Sequence, residues 1–197
     1  FQQHKVPVPD GLMLFKQDDD NLERAADTLG LPLVLKIPDG SFSRGVVKVS
    51  TLTELKAQLN ALFEQSAIIL AQRYTYTEFD WRIGVLNGQP LFACKYFMAR
   101  NHWQIYKHGK GKTQSGGFST CAIAEVPAHV LQAALAACKP IGDSLYGVDL
   151  KQAGEQVFVI EVNDNPNIDD GVEDLYLGNK LYDLLVEDFI RRIELNR

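Results

Sequence analysis

The chain has 197 residues, 46% of them apolar and 23% charged, which suits one globular domain, or one domain of two lobes, and not a disordered tract. Twenty Lys and Arg against 25 Asp and Glu leave a net charge of −5 and a pI near 5.4; a general nucleic-acid binder needs a basic face, so that partner class is excluded. No apolar run reaches the length of a membrane span, no signal peptide is visible, and Cys94, Cys121 and Cys138 form no CxxC spacing, so the sequence reads as a cytoplasmic protein with reduced thiols. There is no initiator Met, and Phe1-Gln2-Gln3-His4-Lys5 reads as the continuation of a longer protein.

In chain order, Val6-Pro7-Val8-Pro9 is restricted to extended backbone, since proline disfavours helix at the residue before it. Residues 20–29 carry Leu22, Ala25, Ala26 and Leu29 on one helical face, with Gly30 as the stop. Strands are predicted at 31–37 and 45–50, joined by the glycine- and serine-rich PDGSFSRG loop. Thr51 and Glu54 have the spacing of a capping box ahead of a helix bearing Leu52, Leu55, Leu59, Leu62 and Phe63. Strands follow at about 67–74, 80–86 and 89–98, the last two joined by Asn87-Gly88, a strong hairpin signal. Residues 101–120 are polar and glycine-rich and read as a mobile loop. A helix starts near Pro127 and should stop by Pro140. Val148–Leu150 and 156–162 then form an antiparallel pair across a short polar link, and 175–195 is helical. Strand pairs followed by helices, without clean βαβ alternation, define an α+β class.

The chemistry gathers around VFVIEVNDNPNI, residues 157–168. If the hairpin is symmetric about Glu155, Asp149 faces Glu161 with Cβ atoms roughly 4.5–5.5 Å apart. Asn163, two residues on, shares that face. Three hard oxygen donors would suit magnesium, with phosphate and water completing the shell. Spacing alone leaves open the reading of two unrelated surface acids beside a turn. A second cluster is Lys36, ending an apolar strand, and the following Gly40-Ser41-Phe42-Ser43-Arg44-Gly45 loop, which can lay backbone N–H groups over phosphate oxygens. The same loop, taken alone, reads equally as a flexible hairpin.

The ordered set LVLKIPDGSFSRGV, AQRY, DWRIGV, GVDL and VIEVNDNP resembles the ATP-grasp enzymes, most of all RimK-type glutamate ligases and more distantly glutathione synthetases, over roughly residues 5 to 195. The resemblance implies a two-lobed ATP-grasp fold of antiparallel sheets and flanking helices. Its small lobe would end near residue 71, its larger lobe would cover about 72–197, and the nucleotide cleft would lie between them. It implies a carboxylate–amine ligase that uses ATP and one or two magnesium ions, with manganese as a substitute. Ligation would run through an acyl-phosphate, and an amino acid such as glutamate would be added to a peptide or protein acceptor. Lys36 would touch the nucleotide phosphates, and the loop of Gly40, Ser41, Arg44 and Gly45 would close over them. Gln72, Arg73 and Tyr74 would read the adenine edge, and Asp80 the ribose. Arg82 would approach the transferring phosphoryl group, with Lys95 and Arg100 as basic neighbours. Asp149, Glu161 and Asn163 would hold the metal. The implied partners are ATP, a carboxylate, an amine and an N-terminal domain of the same protein; an oligomer is allowed. Departures from the family pattern are Arg73 for its usual glutamate, Asp164 and Asn165 for small residues, and Asn167 for glycine.

Other motifs fail on their own terms. Gly111-Lys112-Thr113 lacks the earlier glycine of a phosphate-binding Walker loop, Tyr106 standing in its place. NDNPNIDDGVED lacks the glycine and glutamate of a calcium loop. His102 and His108 read as polar loop residues. Trp103, Gln104 and Tyr106 read either as a substrate lid or as a packed anchor, and Lys107, Lys110 and Lys112 as a solvated basic run. Cys94 reads as core. Two further functions stay open on sequence: a small-molecule kinase of the same architecture, and a nucleotide-binding module without catalysis.

Overall fold

The computed structural model describes residues 1–38, 45–108 and 113–195 and divides into two compact units, Pro9–Tyr76 and a larger unit of Phe1–Val8 with Thr77–Arg197. The boundary expected near residue 71 therefore moves to Tyr76, and the first eight residues join the larger unit. Val6 is buried in that unit's core, and Val159 N–H donates to the Pro7 carbonyl at 2.7 Å.

The smaller unit contains β1 (Gly11–Phe15), α1 (Asn21–Leu29), β2 (Leu33–Lys36), β3 (Val46–Val49), α2 (Leu52–Phe63) and β4 (Ile68–Arg73). Its antiparallel sheet runs β1-β4-β2-β3. Strand β1 was not foreseen; its GLMLF run lacks the alternation that signals a half-buried strand. Leu14, Leu33, Leu35, Val49, Ile69 and Ala71 turn one way from the sheet and pack with Ala25 and Leu29 of α1 and Leu55, Leu59 and Leu62 of α2. Each such leucine, once buried, contributes about 1.5–3 kcal/mol. The start of α2 is held on both sides: Thr51 accepts from Glu54 N–H at 3.2 Å, and Glu54 Oε2 accepts from Ser50 N–H at 2.7 Å. The glutamate thus reaches one residue further back than the usual box, which caps the helix N-terminus.

The larger unit contains β5 (Phe79–Leu86), β6 (Gln89–Phe97), β7 (Tyr106–His108), β8 (Thr113–Ser115), β9 (Phe118–Cys121), α3 (Ala128–Cys138), β10 (Leu145–Ala153), β11 (Gln156–Asn163) and α4 (Asn179–Leu195). Its five-stranded sheet runs β11-β10-β5-β6-β9, antiparallel throughout. Asn87 and Gly88 both have positive φ, 50° and 69°, as a tight hairpin turn with the strands' own twist requires. Within the stretch expected to be a mobile loop, β7 pairs with β8 and β9 adds an edge strand to the sheet, while residues 109–112, with the Lys110 and Lys112 of the basic run, lie outside the described residues. Gly116 makes this fold-back feasible, for a Cβ there would sit 1.8 Å from the Phe97 carbonyl oxygen. The last helix starts at Asn179, not near 175, after a run of turns.

The sheet's two faces differ in chemistry. Trp81, Ile83, Val85, Ala93, Val148, Leu150 and Val159 pack against α3. On the opposite face, Phe92 and Cys94 meet Leu181 and Leu185 of α4. Gly84 lies on that second face, where a Cβ would come within 2.3 Å of the Phe92 ring. Phe92 is only 2% exposed and has nowhere to retreat. Gly84→Ala should therefore cost about 1–3 kcal/mol of stability by overpacking, seen as a lower midpoint in urea unfolding. An unchanged midpoint would mean that the ring moves freely.

Candidate functional site

The second face of the larger sheet carries polar residues from neighbouring strands. Asp80 and Arg82 alternate with Trp81 on β5, so they point away from α3 while Trp81 enters the core. Arg82 is the register partner of Asp149 on β10 and grips it with both arms of the guanidinium: Nε donates to Oδ1, and a terminal nitrogen donates to Oδ2 at 2.9 Å. Burial works against the Arg82 charge, but the Asp149 carboxylate outweighs it and holds the guanidinium above its already high pKa. Arg82 is a fixed cation.

Asp149 also faces Glu161, as expected, though for another reason. The turn is Gly154-Glu155, with Ala153 paired to Gln156, and an unbroken ladder would set Ile160 opposite Asp149. A bulge leaves Ile160 unpaired and brings Glu161 into register. One extra residue moves every following side chain to the other face, so the bulge is what aims Glu161 and Asn163. Asn163 pairs with Gly147, and its amide nitrogen donates to the Gly147 carbonyl at 3.3 Å, which fixes the side chain. Gly147 has no room for a side chain: a Cβ would lie 2.6 Å from Pro166 and 3.2 Å from the Arg82 stem.

Behind Arg82 stands a bracing network. Its guanidinium carbon lies 5.8 Å from the centre of the Tyr96 ring. The Tyr96 hydroxyl donates to Glu173, which is 1% exposed and accepts from Asp169 N–H at 2.9 Å. Burial, then the bond to Glu173, push the Tyr96 phenol well above its usual range. Thr120 on β9 ties the same segment down by donating to the Val172 carbonyl at 2.6 Å. Asp80 is paired with Lys151 at 2.6 Å and accepts from Thr77 Oγ1 at 2.9 Å. Burial raises its carboxyl above the ordinary range against the pull of Lys151.

Of the two outer cations expected here, Lys95 is on the other face. It pairs with Trp81, and its ammonium lies over the Trp81 and Phe79 rings at 4.7 and 4.8 Å, packing with the α3 side. The structure does not bring Lys95 to Arg82 and Asp149, because period-two alternation separates it from its neighbours Cys94 and Tyr96. Arg100 is exposed in the turn beyond β6. Cys94 is core, as expected.

In the smaller unit, Lys36 and Gln72 share the sheet face turned away from α1 and α2, since Lys36 pairs with Leu70 and Gln72 with Val34. Gly11 lies opposite Gln72 and leaves room for its side chain. Arg73 turns the other way and pairs with Asp10 at 3.2 Å, while Tyr74 lies under the Lys48 ammonium at 3.9 Å. Gly45 has a φ of 71° and accepts from Ile37 N–H at 3.1 Å. Gly40, Ser41 and Arg44 lie outside the described residues.

A family model for the RimK-like ATP-grasp domain matches residues 1–178, about nine-tenths of the chain. The chain belongs to the RimK-like ATP-grasp family. Among curated relatives of this ATP-grasp chain, a protein of Vibrio cholerae serotype O1 named "Probable alpha-L-glutamate ligase" is 26% identical over 88% of the chain and 55% of its own length. One of the same name from Parasynechococcus marenigrum is 25% identical over 83% of the chain and 34% of its own length. The chain thus spans about a third to a half of the relatives it matches. D-alanine–D-alanine ligase from Bacillus anthracis superposes with a TM-score of 0.78 at 23% identity, covering 100% of this chain and 66% of that one, and shows the fold.

The ATP-grasp donor set fits magnesium by chemistry: two carboxylates and an amide oxygen, all hard donors on adjoining strands. Among the described residues no group of three His, Cys, Asp or Glu side chains forms a metal cluster, so Asn163 would be the third donor. Sequence reasoning missed Thr77, Tyr96, Lys151 and Glu173. Only Lys151 left a trace, standing two residues beyond Asp149 and so on its face. No helix among the described residues is long and apolar enough to cross a membrane.

Proposed function

We propose that the chain is the ATP-binding core of a carboxylate–amine ligase, which phosphorylates a carboxylate and joins it to an amine. In the first step a carboxylate oxygen attacks the γ-phosphorus and ADP departs. In the second an amine nitrogen attacks the acyl carbon, phosphate departs and the nitrogen loses a proton. Neither step needs a protein nucleophile; both need charge neutralisation around a moving phosphoryl group. The observation that carries this reading is the Arg82–Asp149 pair, set on one sheet face beside Glu161 and Asn163.

The residues divide the work as follows. Lys36 balances phosphate charge, and the segment Gln72–Tyr74 reads the adenine edge. Asp80, paired with Lys151, accepts from the ribose hydroxyls. Arg82 neutralises the transferring phosphoryl group. Asp149, Glu161 and Asn163 would hold magnesium, which, when bound, supplies positive charge to the phosphate oxygens. The relatives' names support glutamate as one of the two substrates joined.

Thermal unfolding with ATP, with and without magnesium, tests the binding half of this reading. A ligand at one hundred times its Kd stabilises by about 2.7 kcal/mol, a rise of several degrees. The rise should require magnesium and vanish in Asp149→Asn/Glu161→Gln. A chain that shows no rise, both alone and in the complete polypeptide, would defeat it.

A further inference from the structure

We infer that Glu173 is a positioning residue for Arg82: one carboxyl oxygen fixes the Tyr96 ring beside the guanidinium, and the other holds the segment that follows Asn163. The effect on turnover rests on the ligase reading above, whereas the effect on the arginine itself does not. Tyr96 stands two residues beyond Cys94, the register partner of Arg82, and so lies diagonally across from the arginine on the same face. It is held at two points: the ring centre is 5.8 Å from the Arg82 guanidinium carbon, and the hydroxyl donates to Glu173 Oε1. A phenol that donates to a carboxylate has a more electron-rich ring, and a ring that cannot swing keeps the cation in one place. Glu173 Oε2 accepts from Asp169 N–H at 2.9 Å. The segment tied in this way also carries Pro166, which is buried and closes on Gly147 together with the Arg82 stem. Glu173 therefore bears on the head of the arginine through Tyr96 and on its stem through Pro166.

Holding the segment does not by itself call for Glu173. Thr120 already donates to the Val172 carbonyl at 2.6 Å, and Asp174 accepts from Gly171 N–H at 2.7 Å and from the Tyr182 hydroxyl at 2.9 Å. A carboxyl that is 1% exposed is costly to bury unless its oxygens are bonded, and a tie to the segment alone would occupy only one of them. Among the described residues no cation pairs with Glu173 directly; the cation that acts on it is Arg82, beyond the Tyr96 ring. Burial opposes the Arg82 charge, and Asp149 and, further off, Glu173 both favour it. The guanidinium thus sits between a carboxylate that it grips and a second that it meets only through an aromatic ring.

Tyr96→Phe, Glu173→Gln and the double variant of the complete protein test this, with Glu173→Gln also placed in the Arg82→Lys background. Glutamine keeps the shape: its carbonyl still accepts from Asp169 N–H, and its amide donates to the Tyr96 oxygen, so the charge is lost while the fold holds. Turnover should fall about tenfold in each single variant, with the KM for ATP within about threefold of wild type, since neither residue is assigned to the nucleotide. The double variant should be about as slow as either single one, and in the Arg82→Lys background Glu173→Gln should cost less than about twofold, because its effect runs through the arginine. In nucleotide-free protein, arginine side-chain NMR should show the Arg82 Nε–H exchanging with water about tenfold faster in Tyr96→Phe than in wild type. Unchanged exchange of that proton would overturn the inference, as would losses that multiply in the double variant or a Glu173→Gln loss that is undiminished beside Arg82→Lys. A wild-type protein without ligation activity would sink the ligase reading alone, and the proton would then decide this one. If Glu173→Gln does not fold, Tyr96→Phe, which removes only a hydroxyl, decides by its turnover and its exchange.

Discussion

Arg82→Lys is expected to lower ligation turnover in the complete protein by roughly 10²–10³-fold, the scale seen when one preorganised transition-state donor is lost. The substitution keeps the charge and removes the planar fork. A lysine ammonium is a point charge that cannot hold both Asp149 oxygens as the guanidinium does. The Tyr96 ring and buried Glu173 brace the guanidinium from behind, and a shorter cation would lose that alignment as well. A second readout separates this from general damage. Arg82 and a divalent ion both draw on the Asp149 carboxylate, so loosening Arg82 should leave manganese affinity unchanged or higher. Turnover and metal affinity falling together would point to a disrupted site. Turnover within threefold of wild type would remove Arg82 from the chemistry.

Lys151→Met should destabilise the fold by about 2–4 kcal/mol. Removing one partner of a fully buried ion pair costs about 3–5 kcal/mol, because the other charge is stranded. Lys151 and Asp80 keep 15% and 16% side-chain exposure, which softens the loss. The pH dependence distinguishes a stranded carboxylate from lost packing. Asp80 already has a raised pKa through burial, and removing Lys151 takes away the main opposing influence. A carboxyl whose folded pKa exceeds its unfolded value binds its proton more readily when folded. Stability therefore rises as the pH falls through the folded pKa towards the unfolded value of about 4, and lowering the pH should recover part of the loss. Asp80→Asn/Lys151→Met should show neither the full loss nor the recovery. Urea midpoints between neutral and mildly acidic pH check both points, and a deficit that does not change with pH would mean the lysine stem matters more than its charge.

Much of this was legible in the chain. The helix of 52–63 announces itself by Thr51, Glu54 and three buried leucines, and the β5–β6 hairpin by Asn87-Gly88. These signals are local, carried by residues a few positions apart. The DWR, GVDL and VIEVN segments were also readable as a polar set on strands, because period-two alternation separates Asp80 and Arg82 from Trp81. The stretch 101–120 was not readable: its strands are short and polar, and they persist because β9 pairs with β6 and Gly116 fits under the Phe97 carbonyl.

By itself the sequence determined most of the element types and the α+β class, and it picked out the polar residues on the strands of the larger unit, since each depends on backbone preference and side-chain chemistry within a short window. The tertiary structure decided which of those residues meet. Arg82 and Asp149 are 67 positions apart, Asp80 and Lys151 are 71, and Tyr96 and Glu173 are 77; strand order and loop packing join them, and no local spacing encodes either. It also decided the face of two residues that composition treats alike. Lys95 and Arg82 are both cations on neighbouring strands, and pairing register sends one to the aromatic side and the other to the carboxylates. The bulge at Ile160 is the sharpest case: a single unpaired residue turns Glu161 towards Asp149, because a strand shows alternate side chains to opposite faces.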